Sequence, residues 1–301
     1  MNQCYDVFVV GSINTDLAIA VERRPLPGET IAGSDLVTSP GGKGGNQASA
    51  AARLGGRIAL LARVGDDARG ATLRAELRAM AVDDRYLLGT SDVATGSAII
   101  TITPDGENSI VVSRGANARL AIADVESATA DIRAAAVTLS QLEVPVDAVV
   151  CALELAAGAG RRAILNAAPA RTLPDGLLRC LDPLVVNEGE AAFYYGEPIT
   201  PESAAAAATS LVARGARSVV ITLGGSGAAY ASARGSGRVA APPVDVVDTT
   251  GAGDAFTGAL ALELARGATI EAAVTLAVRV GSFAVRKSGA QASLPRREEL
   301  T

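Results

Sequence analysis

Histidine is missing from this 301-residue chain. That absence excludes Ser-His-Asp and Cys-His nucleophiles and any zinc, haem or iron site built on imidazole. It also removes the usual proton shuttle of neutral pH. A general base here must be a carboxylate, a lysine, a tyrosine or a thiolate. Cysteine is scarce: Cys4, Cys151 and Cys180 are odd in number and lack CxxC spacing. That argues against a disulfide framework or a thiolate metal site and suits a reducing compartment. No stretch approaches the roughly 18 uncharged apolar residues of a membrane span. The opening MNQCYDVFVVGS has no basic segment, and its apolar run is short for a signal peptide. Positive charge is in deficit, with 27 Lys and Arg against 32 Asp and Glu and a net charge of −5. Neither nucleic acid nor an anionic membrane is an expected partner of such a chain. The expectation is a soluble, cytoplasmic protein.

What is present is core. Hydrophobic residues make up 49% of the chain and charged residues 20%, which excludes a disordered or collagen-like polymer. Short β-branched runs recur at Val7–Val10, Ile58–Val64, Val137–Leu142, Ala163–Asn166, Leu184–Asn187 and Ser218–Leu223. Helix-like segments lie between them at Asn46–Leu54, Asp66–Met80, Glu202–Arg214 and Ala255–Arg266. Continuous apolar strands alternating with helices imply an α/β fold with a mostly parallel sheet covered on both faces. Two regions break the rhythm. Ile13–Val21 alternates polar and apolar residues, and Ser97–Ser113 reads as a hairpin turning at Pro104-Asp105-Gly106. Both are read as a small β lid, inserted from about 13–40 and 93–114 into a single α/β domain spanning 1–301.

Ligands of open α/β sheets bind beyond the carboxyl ends of the strands. The polar residues expected there are Asn14 and Asp16, Glu143, Asn187 and Thr222. Two glycine-rich stretches open into helices: Pro40-Gly41-Gly42-Lys43-Gly44-Gly45-Asn46 and Asp248-Thr249-Thr250-Gly251-Ala252-Gly253-Asp254. In the second, Gly251 and Gly253 let a ligand approach the free N–H groups of a helix start, an anion hole suited to a phosphoryl group. Asp254 at its mouth could accept a proton from a hydroxyl attacking phosphorus. Such a transfer depends mainly on positioning and charge stabilisation, so a weak base suffices. The plainer reading of Asp254 is a first-turn carboxylate favoured by the helix dipole. Lys43 is not a P-loop lysine, because Gly44 follows it where Ser or Thr is needed; its plainer reading is a solvated turn residue. Asn14, Asp16, Asn46 and Glu143 could present donors and acceptors to vicinal hydroxyls, though each alone reads as a turn or cap residue. Gly158-x-Gly160-x-x-Ala163 mimics a dinucleotide fingerprint, but it follows a helix-like run and precedes a strand, the reverse of the required order.

Together, GGKGGNQASAAARLGG and DTTGAGDAFTGAL carry a resemblance to the PfkB family of carbohydrate kinases. SINTD, SQLE, LNAAPA and KSGAQASLP point to its ribokinase-like branch, and the match runs almost end to end. The resemblance implies a three-layer sandwich of ribokinase-like type with a β-sheet lid. It implies ATP-dependent phosphorylation of D-ribose at the 5-hydroxyl, with Asp254 as base and Gly251, Ala252 and Gly253 as anion hole. Asn14, Asp16, Gly42, Lys43, Asn46 and Glu143 match the positions that hold the sugar. Asn187 and Glu190 match an Asn-x-x-Glu pattern associated with phosphate and Mg²⁺, and Thr222, Gly224 and Gly227 match the nucleotide loop. Asp248, Thr250, Ala284, Lys287, Gly289 and Ser293 match a monovalent-cation loop for K⁺. Pairing of lids between subunits would make a homodimer. Gly45 stands where alanine is common and Ser140 where methionine is common, and neither removes a functional group. A kinase for deoxyribose, another sugar or a nucleoside is the alternative on the same fold. A non-catalytic sugar-binding protein is the alternative of another class, and it should have lost Asp254 or the glycine frame.

Overall fold

Every residue of the first strand, β1 (Val7–Val10), is buried, as a strand covered on both faces must be. The computed structural model describes residues 5–105 and 107–300. After β1 come β2 (Asn14–Ala20), β3 (Val37–Gly41), α1 (Lys43–Arg53), β4 (Ile58–Gly65), α2 (Ala68–Ala79), β5 (Val82–Asp83) and β6 (Leu87–Thr90). The hairpin β7 (Ser97–Ile102) and β8 (Asn108–Ser113) leads to α3 (Ile122–Ser127), α4 (Thr129–Ala134), β9 (Val137–Gln141) and α5 (Val146–Gly158). Then follow β10 (Arg162–Asn166), β11 (Leu181–Asn187), α6 (Glu188–Tyr195), α7 (Ala204–Ala213) and β12 (Ser218–Thr222). The hairpin β13 (Ala228–Ser232) and β14 (Gly235–Val239) and the helices α8 (Ala252–Ala265) and α9 (Ile270–Ala284) complete the set.

The main sheet runs in the order β14-β13-β12-β11-β10-β9-β1-β4-β5, with β6 paired to β4. It is parallel from β12 to β5 and antiparallel only in the β12–β13 and β13–β14 pairs. Strand side chains alternate between faces. Val7 and Val9 thus join a core with α1, α2, α8 and α9, while Phe8 and Val10 join one with α3 to α7. The result is the three-layer α/β arrangement expected from the continuous apolar strands. Helix α5 ends at Gly158 and β10 starts at Arg162, so the glycine pattern at 158–163 is a helix-to-strand turn.

A second sheet, in the order β3-β2-β7-β8, forms the expected lid. β2 pairs with β7 in parallel, while β3 and β8 are antiparallel edges. Pro40, which opens the first glycine-rich stretch, lies in β3. An edge strand is where a ladder tolerates a residue without N–H. The β7–β8 turn falls at residues 103–107, and Gly106 lies outside the described residues. Also outside them is Cys4.

Helix α1 begins at Lys43, three residues before the expected start, despite the low helix propensity of Gly44 and Gly45. The compensation comes from outside the helix. Glu143 Oε2 accepts from Lys43 N at 3.1 Å, and Ser12 O accepts from Gly45 N at 2.9 Å. Gly42, just before it, has φ 83°, and a Cβ there would sit 2.7 Å from Ile13 Cα and 2.8 Å from Asn14 N. Gly42→Ala should therefore lose about 1–3 kcal/mol from backbone strain alone. Urea denaturation should show a lower midpoint with an unchanged slope, and an unchanged midpoint would contradict this account of the junction.

Candidate active site at the strand carboxyl ends

Five neighbouring strands of the main sheet deliver polar groups at one end. Asn14 follows β1, Gln141 and Glu143 close β9, and Asn166, Asn187 and Thr222 end β10, β11 and β12. The N-termini of α1 and α8 point at the same place. In α8, Gly251 caps the helix with φ 75°. A Cβ on it would lie 2.7 Å from Ala290 Cβ, so the left-handed turn and close packing both call for glycine. Ala252 N donates to Thr249 O and Ala255 N to Gly251 O. The expected Ala252 amide is thus engaged, and among the described residues the Gly253 and Asp254 amides have no backbone acceptor, which leaves free N–H groups at the helix start.

Two cavities meet here. One, of about 230 Å³, is walled by Lys43, Asn166, Glu190, Gly251, Asp254 and Thr257 among others. The other, of about 710 Å³, has a more apolar wall that includes Gly224, Gly227, Pro242, Val246, Phe256 and Val278. Asn187, Thr222, Thr249 and Gly253 line both. Asn187 and Glu190 form a capping box on α6: Asn187 Oδ1 accepts from Glu190 N at 2.8 Å, and Glu190 Oε2 from Asn187 N at 2.9 Å.

Asp254 is buried. Its Oδ2 accepts from Asn46 Nδ2 at 3.0 Å and its Oδ1 from Gln47 Nε2 at 2.9 Å. Burial pushes its carboxyl up, while the Lys43 charge and the two amides pull it back. Lys43 is raised in turn, above all by the Asp254 carboxylate, with Glu143 and Glu190 adding to it. Glu190 is raised by burial, against the Asn187 N–H and Lys43. Asn46 Oδ1 accepts from Gln291 Nε2 at 3.1 Å, which ties α1 to the C-terminal segment.

Of the residues expected to hold the sugar, Lys43 walls the small cavity, whereas Asn14, Asp16, Gly42, Asn46 and Glu143 are not among its lining; Asn46 reaches the site through its bond to Asp254. Asn14 Oδ1 accepts from Asn117 Nδ2 at 2.7 Å, and Glu143 Oε2 accepts from Ser12 Oγ at 2.5 Å. Asp16 is pushed up to about 7, first by burial and then by the charges of Glu143 and Asp254. The sequence reading missed Gln47, Gln141, Asn166 and Gln291. Spacing held a signal for one of them: Lys43, Asn46 and Gln47 stand at i, i+3 and i+4, on one helix face.

The 248–250 strap packs on the 284–293 segment. Asp248 accepts from Thr250 N at 2.8 Å, Gly289 N at 2.9 Å and Ser288 Oγ at 3.3 Å. Burial raises its carboxyl, but these donors hold it below the usual range. Asp248 N donates to Val285 O, Lys287 N to Ala284 O, and Ser293 Oγ to Ala290 O. The six positions expected around a cation thus lie along one pair of touching segments. Among the described residues, no cluster of three or more His, Cys, Asp or Glu could hold a metal. One carboxylate with carbonyl and hydroxyl oxygens is a donor set whose charge and hardness fit a monovalent cation.

The chain belongs to the pfkB family of carbohydrate kinases, whose family model matches residues 5–297. A ribokinase of Haemophilus influenzae is 36% identical over 97% of this chain and 95% of its own length. A deoxyribokinase of Salmonella typhi is 34% identical over 98% of this chain and 97% of its own. The structure of Arabidopsis thaliana ribokinase complexed with ribose and ATP superposes with a TM-score of 0.89 at 32% identity, covering 99% of this chain and 98% of that one. The fold is accordingly ribokinase-like. No helix among the described residues is long and apolar enough to cross a membrane.

The raised Asp16 carboxyl has a stability consequence. An unfolded Asp ionises near pH 3.9, whereas the folded one holds its proton to about 7. Between those values the folded state binds more protons, so stability falls as pH rises through the window. Asp16→Asn should melt with the wild type near pH 4 and above it at pH 8, by roughly 1–2 °C for each kcal/mol of relieved burial penalty and repulsion. A melting gap that does not change between pH 4 and 8 would contradict the assignment.

Proposed function

We propose that this protein transfers the γ-phosphoryl group of ATP to the 5-hydroxyl of D-ribose, giving ribose 5-phosphate, ADP and a proton. The observation that carries this reading is the junction of the two cavities at Gly253, with Asp254 on the wall of the small one. ATP suits the larger, apolar-walled cavity, and a pentose suits the small polar one. The phosphoryl group then crosses at the shared wall. Asp254 takes the hydroxyl proton as the oxygen attacks phosphorus, and burial that raises its carboxyl makes it a better base. The Gly253 and Asp254 amides with Lys43 meet the charge on the phosphoryl oxygens.

Asn14, Asp16, Gly42, Lys43, Asn46 and Glu143 hold the sugar in this reading, and Thr222, Gly224 and Gly227 the nucleotide. Asn187 and Glu190 flank the phosphates, where Mg²⁺ would neutralise charge. The Asp248 strap with Thr250, Ala284, Lys287, Gly289 and Ser293 would hold K⁺ behind the anion hole. Activity compared between K⁺ buffer and K⁺-free Tris checks that role. Chain 1–301 acts as one α/β domain with the lid as its insertion. Exposed apolar residues on the lid, Val37, Ile99 and Val111 among them, support pairing with a second copy, which sedimentation velocity checks. A cytoplasmic setting fits a substrate that is a free metabolite and an enzyme with scarce cysteine.

The 34% identity to a deoxyribokinase makes 2-deoxyribose the second candidate substrate, and kcat/KM for the two sugars ranks them. Asp254→Asn keeps the size of the side chain and removes the base. It should lower kcat by about 10²–10⁴-fold, the usual worth of general-base catalysis, with ribose affinity within about threefold by calorimetry. Wild-type kcat in this variant would show that Asp254 is not the base.

A further inference from the structure

Beneath the small cavity runs a chain of buried amides. Gln47 is fully buried, and its Nε2 bridges two oxygens, Asp254 Oδ1 and Asn166 Oδ1, each at 2.9 Å. Its Oε1 accepts from Gln141 Nε2 at 2.6 Å. Asn166 Nδ2 donates onward to Val185 O at 3.3 Å. Gln141 is also fully buried, and its Oε1 has no hydrogen-bond partner. That oxygen lies against Gly11, where any Cβ would overlap it.

The order of these amides is dictated from one end. An ionised carboxylate only accepts, so Gln47 must turn Nε2 toward Asp254. Its Oε1 then faces Gln141, which must answer with its own Nε2. The remaining Gln141 oxygen is left as an unpaired buried acceptor, a rare feature that calls for a reason. The reason offered by the geometry is that the chain holds the carboxylate of Asp254 in one orientation. Asn46 fixes the other oxygen. Each carboxylate oxygen has two acceptor sites, so each keeps one for an incoming hydroxyl.

We propose that Gln47, braced by Gln141, is a positioning residue for phosphoryl transfer: it aims Asp254 and holds Asn166 against the same cavity. The proposal rests on the reading of Asp254 as the base. The other groups whose charge bears on Asp254 are Lys43 of α1, which favours its ionised form, and Asp16 of β2, Glu143 after β9 and Glu190 of α6, which oppose it. With three carboxylates against one lysine, the donors from Gln47 and Asn46 help keep Asp254 able to accept a proton.

The test compares Gln47→Met, the paired Gln47→Met/Gln141→Leu variant and Asp254→Asn in the full chain, with ATP and D-ribose from pH 5 to 9. The paired variant removes both ends of the Gln47–Gln141 contact and leaves neither amide stranded, so it guards against a mere folding defect. Both Gln47 variants should lose about tenfold or more in kcat, as for loss of one oriented donor. KM for the sugar should stay within about threefold. The acid limb of kcat/KM should move upward by up to roughly one pH unit. Added to Asp254→Asn, Gln47→Met should change kcat by less than about twofold, because the two act through one step. If Asp254→Asn is inactive while folded Gln47 variants keep wild-type kcat and acid limb, the positioning role is overturned and the base stands. If Asp254→Asn itself turns over like wild type, the base assignment falls and the positioning role with it.

Discussion

A carboxylate buried in the first turn of a helix is the constraint around which the rest of this site is arranged. A buried charge is costly unless it is paired and hydrogen-bonded, and Asp254 is buried with both oxygens engaged. Three devices make that tolerable: the positive end of α8, two amide donors from α1, and the charge of Lys43. The last two require α1 and α8 to meet at their N-termini. The glycines at that meeting point follow from the same need, because side chains would hold the two helix starts apart from the β1–β2 connection and from the C-terminal segment.

The sheet supplies the remaining geometry. Parallel strands place all their carboxyl ends on one side, so residues as far apart in sequence as Asn14, Glu143, Asn187 and Thr222 converge without long loops. The lid adds Asn14 and Asp16 from a strand paired outside the main core. Asp16 stands near Glu143 and Asp254, and its carboxyl is raised first by burial and then by their charges.

Much of this was legible in the sequence, and the exceptions have physical causes. β1, β4, β9 and β12 announce themselves because strands buried on both faces must be continuously apolar. The hairpin β13–β14 does not, because Ala228–Ser232 and Gly235–Val239 are built largely from Ala, Ser and Gly, which have weak strand preference. The start of α1 was placed at Asn46 rather than Lys43 because its caps come from Ser12 and Glu143, far away in sequence. Asp254, Lys43 and the glycine frames were readable as charges in glycine. Gln47, Gln141 and Asn166 were not, since a neutral amide carries no charge signal until the fold shows what it touches. With no histidine in the chain, a base must be of another type, and in the structure two amides hold the Asp254 carboxylate in place.

The central claim is that the two cavities meet so that a phosphoryl group passes from ATP to the primary hydroxyl of a pentose beside Asp254. Phosphorus NMR of the products formed from ATP and D-ribose tests it most directly. The account predicts equal amounts of ADP and ribose 5-phosphate, and no transfer product when 5-deoxyribose replaces ribose. Inorganic phosphate in place of the sugar ester, or a phosphorylated product from 5-deoxyribose, would contradict it.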